Sequence, residues 1–399
     1  MDRAKRRENR QNLTAMIPYG RQDISQADID AVVEVLKSDF LTHGPAVPAF
    51  ENVVANYCGA HHAVAVNSAT SALHIACLAL GVGKGDVVWT VPITFVASAN
   101  CALYCGAEVD FVDIDPITWN MSVERLGEKL AHAEKSGRLP KVVIPVHLGG
   151  RSCDMARIHA LSEKYGFGII EDASHAIGGK YQGEPVGVCR FSSITVFSFH
   201  PVKIITTGEG GMALTNDAQL AKCMQLLRSH GITRDEVDMT HAPDGPWYYQ
   251  QIELGFNYRM TDIQAALGLS QMRRIDDFVA NRHAIARRYD EMLADLPVVT
   301  AKPDSDSFSG LHLYVIRLQL NRIRASHRDV FMALRERGVG VNVHYIPVHT
   351  QPFYQRMGFA ADDFPEANRY YAEAISLPMY PGLSQLQQSQ VVEALGACL

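Results

Sequence analysis

Ala63-Val-Ala-Val66-Asn67-Ser-Ala69-Thr70-Ser-Ala-Leu-His74 is an apolar run that passes without a linker into the Ser/Thr-rich start of a helix-period segment. The same pairing recurs through Val87-Val-Trp89, Val109-Asp-Phe-Val112, Val142-Val-Ile-Pro-Val146 and Gly168-Ile-Ile170. Strands alternating with helices form βαβ units, so this region predicts an α/β fold with a large, doubly wound, mainly parallel sheet. Upstream, Ser25-Gln-Ala-Asp28 reads as a capping box opening an amphipathic helix through Val32, Val33, Val35 and Leu36. Past Asn216 the pattern becomes mostly helical, with one long helical stretch over residues 260–296. Strands are then expected at 312–317 and 339–344, with helices between and after them, which describes a smaller C-terminal α+β domain. The resulting division is a flexible extension at 1–16, a large domain with its N-terminal segment at 17–270, and a linking helix and small domain at 271–399.

With 47% hydrophobic and 20% charged residues, the 399-residue chain matches soluble globular composition and can bury a sizeable core. No apolar run approaches the roughly 18 residues of a membrane span, and Met1-Asp-Arg-Ala-Lys-Arg-Arg-Glu lacks the apolar centre of a signal peptide. A cytoplasmic protein without membrane contact is expected. The net charge of −6 argues against nucleic acid as a partner. Arg3, Lys5, Arg6, Arg7 and Arg10 form a basic cluster confined to the lead segment, which reads as a flexible tail, with Met16 as an alternative start. The eight cysteines contain no Cys-x-x-Cys pair, so neither disulfides nor a zinc site is expected.

The stretch Ser198-Phe-His-Pro-Val-Lys203-Ile-Ile-Thr-Thr-Gly208-Glu-Gly-Gly211 places a lysine between an apolar β-rich run and a glycine-rich turn leading into Met212-Ala-Leu-Thr215. A charged residue between two buried strands needs a reason, although most lysines are solvated surface charges. Asp172, in Glu171-Asp172-Ala-Ser-His175, follows the run 168–170, at the sheet edge where α/β proteins bind ligands. Together Lys203 and Asp172 suit pyridoxal phosphate, whose aldehyde needs an amine and whose ring nitrogen needs a carboxylate to stay protonated. Each further candidate has a plainer reading beside it. Ala69 and Thr70 start a helix whose free amides fit a phosphate, or the segment is simply an N-cap. His175 either contacts the ligand or is a satisfied loop histidine; Phe95 either lies against a ring or packs in the core. Asp172 itself could cap a helix. Gly81-Val-Gly83-Lys-Gly85 lacks dinucleotide spacing.

These segments resemble the DegT-type family of sugar aminotransferases, over nearly the whole chain after Met16. The resemblance rests on Ser198-Phe-x-x-x-Lys203 with Thr207-Gly-Glu-Gly-Gly211, on 67–72, on Glu171-Asp-Ala-Ser-His-Ala-Ile-Gly178, and on Leu254-Gly-Phe-Asn257-Tyr-Arg-Met-Thr-Asp-Ile263. It implies the fold type I architecture of pyridoxal phosphate enzymes, with Lys203 as the lysine that holds the coenzyme. It further implies Asp172 at the ring nitrogen, His175 beside the ring, Phe95 stacked on it, and Ala69, Thr70 and Ser198 at the phosphate. Asn257 is implied to reach that phosphate from a second subunit, which makes the expected protein a homodimer with shared sites. Within the family, Ile17-Pro-Tyr19-Gly, Ser38-Asp-Phe-Leu-Thr42-x-Gly-Pro and Val343-His344-Tyr345-Ile-Pro-Val resemble members that move an amino group from L-glutamate to C4 of a UDP-linked 4-keto-6-deoxy sugar. Tyr19, Asp39, Phe40, Leu41, Thr42, His344 and Tyr345 would then line the nucleotide-sugar site.

Two other functions stay in view. A sugar dehydratase on the same fold would replace the lysine with histidine or carry a cysteine-held iron–sulfur cluster, whereas Lys203 is present and only Cys223 and Cys398 follow it. A non-enzymatic sensor would carry a DNA-binding module, and no basic helix-turn-helix segment is evident.

Overall fold

The computed structural model describes residues 16–302 and 305–399. The expected flexible extension and its basic cluster lie outside the described residues, apart from Met16. Two helices, α1 (Gln26–Lys37) and α2 (Ala46–Cys58), lead into the main sheet. Ser25 and Asp28 cap α1 reciprocally, as their spacing predicts.

Seven strands build that sheet: β1 (His62–Val66), β2 (Val87–Thr90), β3 (Glu108–Phe111), β4 (Val142–Val143), β5 (Gly168–Asp172), β6 (Ile194–Ser198) and β7 (Gly211–Thr215), in the order β1-β7-β6-β5-β4-β2-β3. From β6 to β3 all neighbours are parallel, and β7 runs antiparallel to both β6 and β1. Both β6 and β7 are buried along their whole length, as a sheet covered on two faces requires. On one face Leu73 and Ile75, from α3 (Ala69–Ala79), join Val88, Ile144 and Ile170. On the other, Phe50 packs 5.1 Å from Phe199, in a cluster with Val54, Phe197 and Met212. The strand-to-helix junction at α3, the end of β5 and the β6-to-β7 connection therefore meet at one edge of the sheet.

A second, three-stranded antiparallel sheet is formed by β8 (Val298–Thr300), β9 (Tyr314–Leu318) and β10 (Ala374–Leu377), in the order β8-β9-β10. Its core joins Ile316 and Ile375 to Tyr289, Leu395 and Ile17, so the N-terminal segment packs with the C-terminal region.

Three local expectations change. The stretch 260–296 is two helices, Asp262–Met272 and Ile275–Leu293. Arg274 leaves helical geometry between them (φ −115°, ψ 8°) and its guanidinium binds Asp23 at 2.7 Å and Asp28 at 2.6 Å. Residues 339–344 form no strand. They thread between the N-terminal segment and β10, touching Ile17 and Ser376 through isolated bridges. Finally, 228–261 is largely irregular rather than helical, with two paired strands of two residues each.

Candidate active site

The β6-to-β7 connection is shaped by its glycines. Gly208 has φ +81°, in the left-handed region that favours glycine, and a Cβ on Gly211 would collide with the backbone of Ser68 and Ala69. The missing side chain lets β7 press against the start of α3. There Ser68 caps the helix, accepting from the Ser71 amide at 3.1 Å, and Ser71 donates to Asn67 Oδ1 at 2.6 Å. The next amides, those of Ala69 and Thr70, belong to the first turn and have no partner inside the helix. Their dipole end faces a cavity of about 950 Å³ whose wall also holds Ser198 and Lys203.

Asp172 enters the same cavity from β5. Its carboxylate accepts from Ser98 Oγ at 2.6 Å and from the Ser174 amide at 3.1 Å, so it orients as an acceptor and caps no helix. Ser98 is itself 2.7 Å from Thr94 Oγ1. Burial pushes the Lys203 amine down to about 8, against the opposing pull of the Asp172 carboxylate. An amine that titrates this near neutrality can work as a base.

His175 is buried and doubly engaged. Its Nδ1 accepts the Gly149 amide N–H at 3.2 Å, which fixes the ring proton on Nε2, 3.0 Å from the Tyr345 hydroxyl. Burial first, then the Lys203 charge, drives its pKa well below the ordinary value. The same two causes lower His344 to about 3, so both rings are neutral near neutral pH. His344 Nδ1 lies 2.8 Å from Ser376 Oγ, and its ring is 5.5 Å from that of Tyr19. Phe95 does not pack in the core: it is 58% exposed, on the cavity wall, 6.4 Å from Tyr345.

One cavity thus gathers Ala69, Thr70, Phe95, Asp172, His175, Ser198, Lys203, Tyr19, His344 and Tyr345. Two sets of sequence candidates lie elsewhere. Asp39, Phe40, Leu41 and Thr42 are exposed residues between α1 and α2, off the cavity wall. Asn257 is also exposed and off the wall of its own chain, with its carbonyl accepting from Asn67 Nδ2 at 3.4 Å. The structure adds Ser98, which orients Asp172, and His312, whose ring is 4.5 Å from His175. Ser98 is the second residue of a short helix, Ala97–Tyr104, and reads as an ordinary helix-start serine. His312 arrives from the C-terminal region and had no local signal.

The residues present fit pyridoxal phosphate: an amine with a lowered pKa, a carboxylate held by two donors, and an anion-receptive helix start lie on one wall. Residues 22–396 match the model of the DegT/DnrJ/EryC1/StrS aminotransferase family. The chain is 37% identical over 385 residues to the UDP-4-amino-4,6-dideoxy-N-acetyl-beta-L-altrosamine transaminase of Campylobacter jejuni, covering 96% of this chain and 98% of that protein. Among solved structures it is similar to PseC of Helicobacter pylori, an aminotransferase involved in the biosynthesis of pseudoaminic acid (TM-score 0.87, 30% identity, 95% of this chain and 98% of that one). It is also similar to the PLP form of the putative sugar aminotransferase Spr1654 of Streptococcus pneumoniae (TM-score 0.86, 30% identity, 96% and 98%). The chain belongs to the DegT/DnrJ/EryC1/StrS aminotransferase family, and it is a pyridoxal phosphate-dependent sugar aminotransferase.

Proposed function

We propose that the protein transfers an amino group from L-glutamate to C4 of a UDP-linked 4-keto-6-deoxy-N-acetylhexosamine, giving a UDP-4-amino-4,6-dideoxy sugar of the pseudaminic acid route. The observation that carries this reading is that Lys203 and Asp172 share a cavity of about 950 Å³ with Tyr19, His344 and Tyr345, which leaves room for a sugar beside a coenzyme. The likeness to the Campylobacter and Helicobacter enzymes supports the choice of sugar.

Pyridoxal phosphate supplies an aldehyde that holds amino groups covalently and a ring that accepts electrons. In this reading Ala69, Thr70 and Ser198 hold its phosphate, and Asn257 reaches it from the other subunit of a homodimer. Phe95 and His175 flank its ring, and Asp172 keeps the ring nitrogen protonated. Lys203 holds the coenzyme and, once displaced, takes the proton from the donor's α carbon and later delivers one to C4 of the sugar. The face on which its amine stands sets the stereochemistry there. Donor and acceptor use the same cavity in turn, so kinetics should be ping-pong. Tyr19, His344 and Tyr345 bind the sugar nucleotide, with 39–42 contributing from a second subunit. Among the described residues no helix is long and apolar enough to cross a membrane; we place the enzyme in the cytoplasm, where nucleotide sugars are made.

The test is incubation of the purified protein and glutamate with a panel of UDP-, GDP- and dTDP-linked keto sugars, followed by NMR of the amino product. Amination at C3, or preference for another nucleotide, would sink this choice of substrate while leaving the family intact.

A further inference from the structure

Behind Asp172, on the reverse face of β5, lies a buried polar group that the chemistry above does not use. Successive strand residues point to opposite faces, so Glu171 turns away from the cavity into the protein. It is 6% exposed, and His147 beside it is fully buried. Glu171 Oε2 lies 2.8 Å from His147 Nε2, while Oε1 accepts from Thr195 Oγ1 at 3.1 Å and from the Ser192 hydroxyl. The Cys153 amide N–H fills His147 Nδ1 at 3.2 Å, so the geometry is that of a ring with its proton on Nε2, donated to Glu171. Burial works to lower the His147 pKa, and the Cys153 side chain and the Glu171 carboxylate outweigh that and raise it. For Glu171, burial is outweighed by the His147, Ser192 and Thr195 hydrogen bonds, and its carboxyl stays below the usual range.

The placement of these groups is more telling than their charge. The residue whose side chain grips Glu171 also donates its backbone N–H to the Asp172 carbonyl, at 3.0 Å. On the opposite side, Thr195 of β6 is the register partner of Glu171 and binds its carboxylate. The strand end carrying Asp172 is therefore clamped to both neighbours by side chains on its hidden face. Without them, this end of β5 would be held by backbone pairing and by the contacts of the Asp172 carboxylate with Ser98 and Ser174.

We propose that His147 and Glu171 are positioning residues for the aminotransferase reaction, holding Asp172 at the height and pleat at which its carboxylate meets the coenzyme's ring nitrogen. This rests on the assignment of Asp172 to that nitrogen. Glu171→Met keeps a side chain of similar length but removes both acceptors, leaving the His147 Nε2 proton and the Thr195 hydroxyl without their partner. His147→Leu removes the donor. His147→Gln can carry an amide N–H to the position of Nε2 and serves as the conservative control.

Each protein is loaded with 15N-labelled pyridoxal phosphate, and the ring-nitrogen resonance, coenzyme dissociation and kinetics are recorded. In Glu171→Met and His147→Leu the resonance should move toward that of an unprotonated ring, and kcat should fall about a hundredfold with the glutamate KM little changed. His147→Gln should retain the wild-type resonance. Thr195→Val, a milder cut on the other side of the clamp, should move the signal in the same direction by less, and serves if the stronger variants do not fold. A wild-type resonance in all the variants that fold, or equal loss in His147→Gln and His147→Leu, overturns the proposal. If the wild-type ring nitrogen is itself unprotonated, the assignment of Asp172 fails instead, and that outcome is read before any variant is made.

Discussion

At Lys203 two effects oppose each other, and burial wins over the attraction of Asp172, leaving the amine at about 8 instead of its ordinary 10.5. Without coenzyme, the folded chain gives up this proton before the unfolded chain does, so its stability rises as pH climbs from about 8 toward 10.5 and carries a constant cost below that window. Lys203→Met should therefore melt several degrees above the coenzyme-free wild type near neutral pH, with the gap narrowing above about pH 8. A gap independent of pH would show that the amine is solvated. For Asp172→Asn, whose amide cannot hold the ring proton as a carboxylate does, kcat should fall about a hundredfold to a thousandfold with the fold retained. Near-normal turnover in a folded, coenzyme-loaded variant would assign that role to another acid. The sequence made both residues legible because each breaks a local rule, a charge beside buried strands. Ser98, which holds Asp172 at 2.6 Å, and His312, 4.5 Å from His175, break none; ordinary in their own segments, they matter through what the fold brings to them.

Among the elements, the contact between β7 and α3 decides whether the anion site exists. Gly211 lies against the backbone of Ser68 and Ala69, so Gly211→Ala must move either the strand or the helix start. We expect about 1–3 kcal/mol lost from the coenzyme-free protein, the usual cost of overpacking, together with weaker coenzyme retention on dialysis. Loss of stability with undiminished retention would mean that the strand moved and the helix start did not. The mainly parallel character of the sheet was readable because the runs at β1, β2, β3 and β4 are each followed by a helix, whereas β5 and β6 are joined without one and the strand order had no local signal. The break at Arg274 was not, since its cause is Asp28, which is 246 positions away in the chain. The sequence did mark where that helix begins: Thr261 and Gln264 form a capping box, with the same spacing that was read at Ser25. Residues 339–344 look like a strand by composition, but Gly340 packs against the backbone of Ile17 and Pro18 and the segment becomes a wall of the cavity instead.

For the whole molecule, the open question is how many chains make one site. Asn257 is exposed, yet its carbonyl binds Asn67, which lines the cavity, so it stands just outside the wall of its own chain. It belongs to the largely irregular segment 228–261, in which Trp247 and Leu254 are each 73% exposed and Val237 is 88% exposed. Apolar side chains this exposed would gain burial if another chain covered the segment. If the cover is a second copy related by a two-fold axis, Asn257 of each chain can complete the phosphate site of the other. Mixing inactive Lys203→Ala with inactive Asn257→Ala subunits tests this arrangement. In a heterodimer both lesions fall in one site and the other site is intact, so activity should return to about half the wild-type value per mixed dimer if the sites act independently. Were both residues to serve the same chain's site, each subunit would carry one lesion, and no mixture would recover. Absence of recovery after subunit exchange has been verified by mass, with Asn257→Ala alone inactive, would therefore place Asn257 in its own chain's site or outside it.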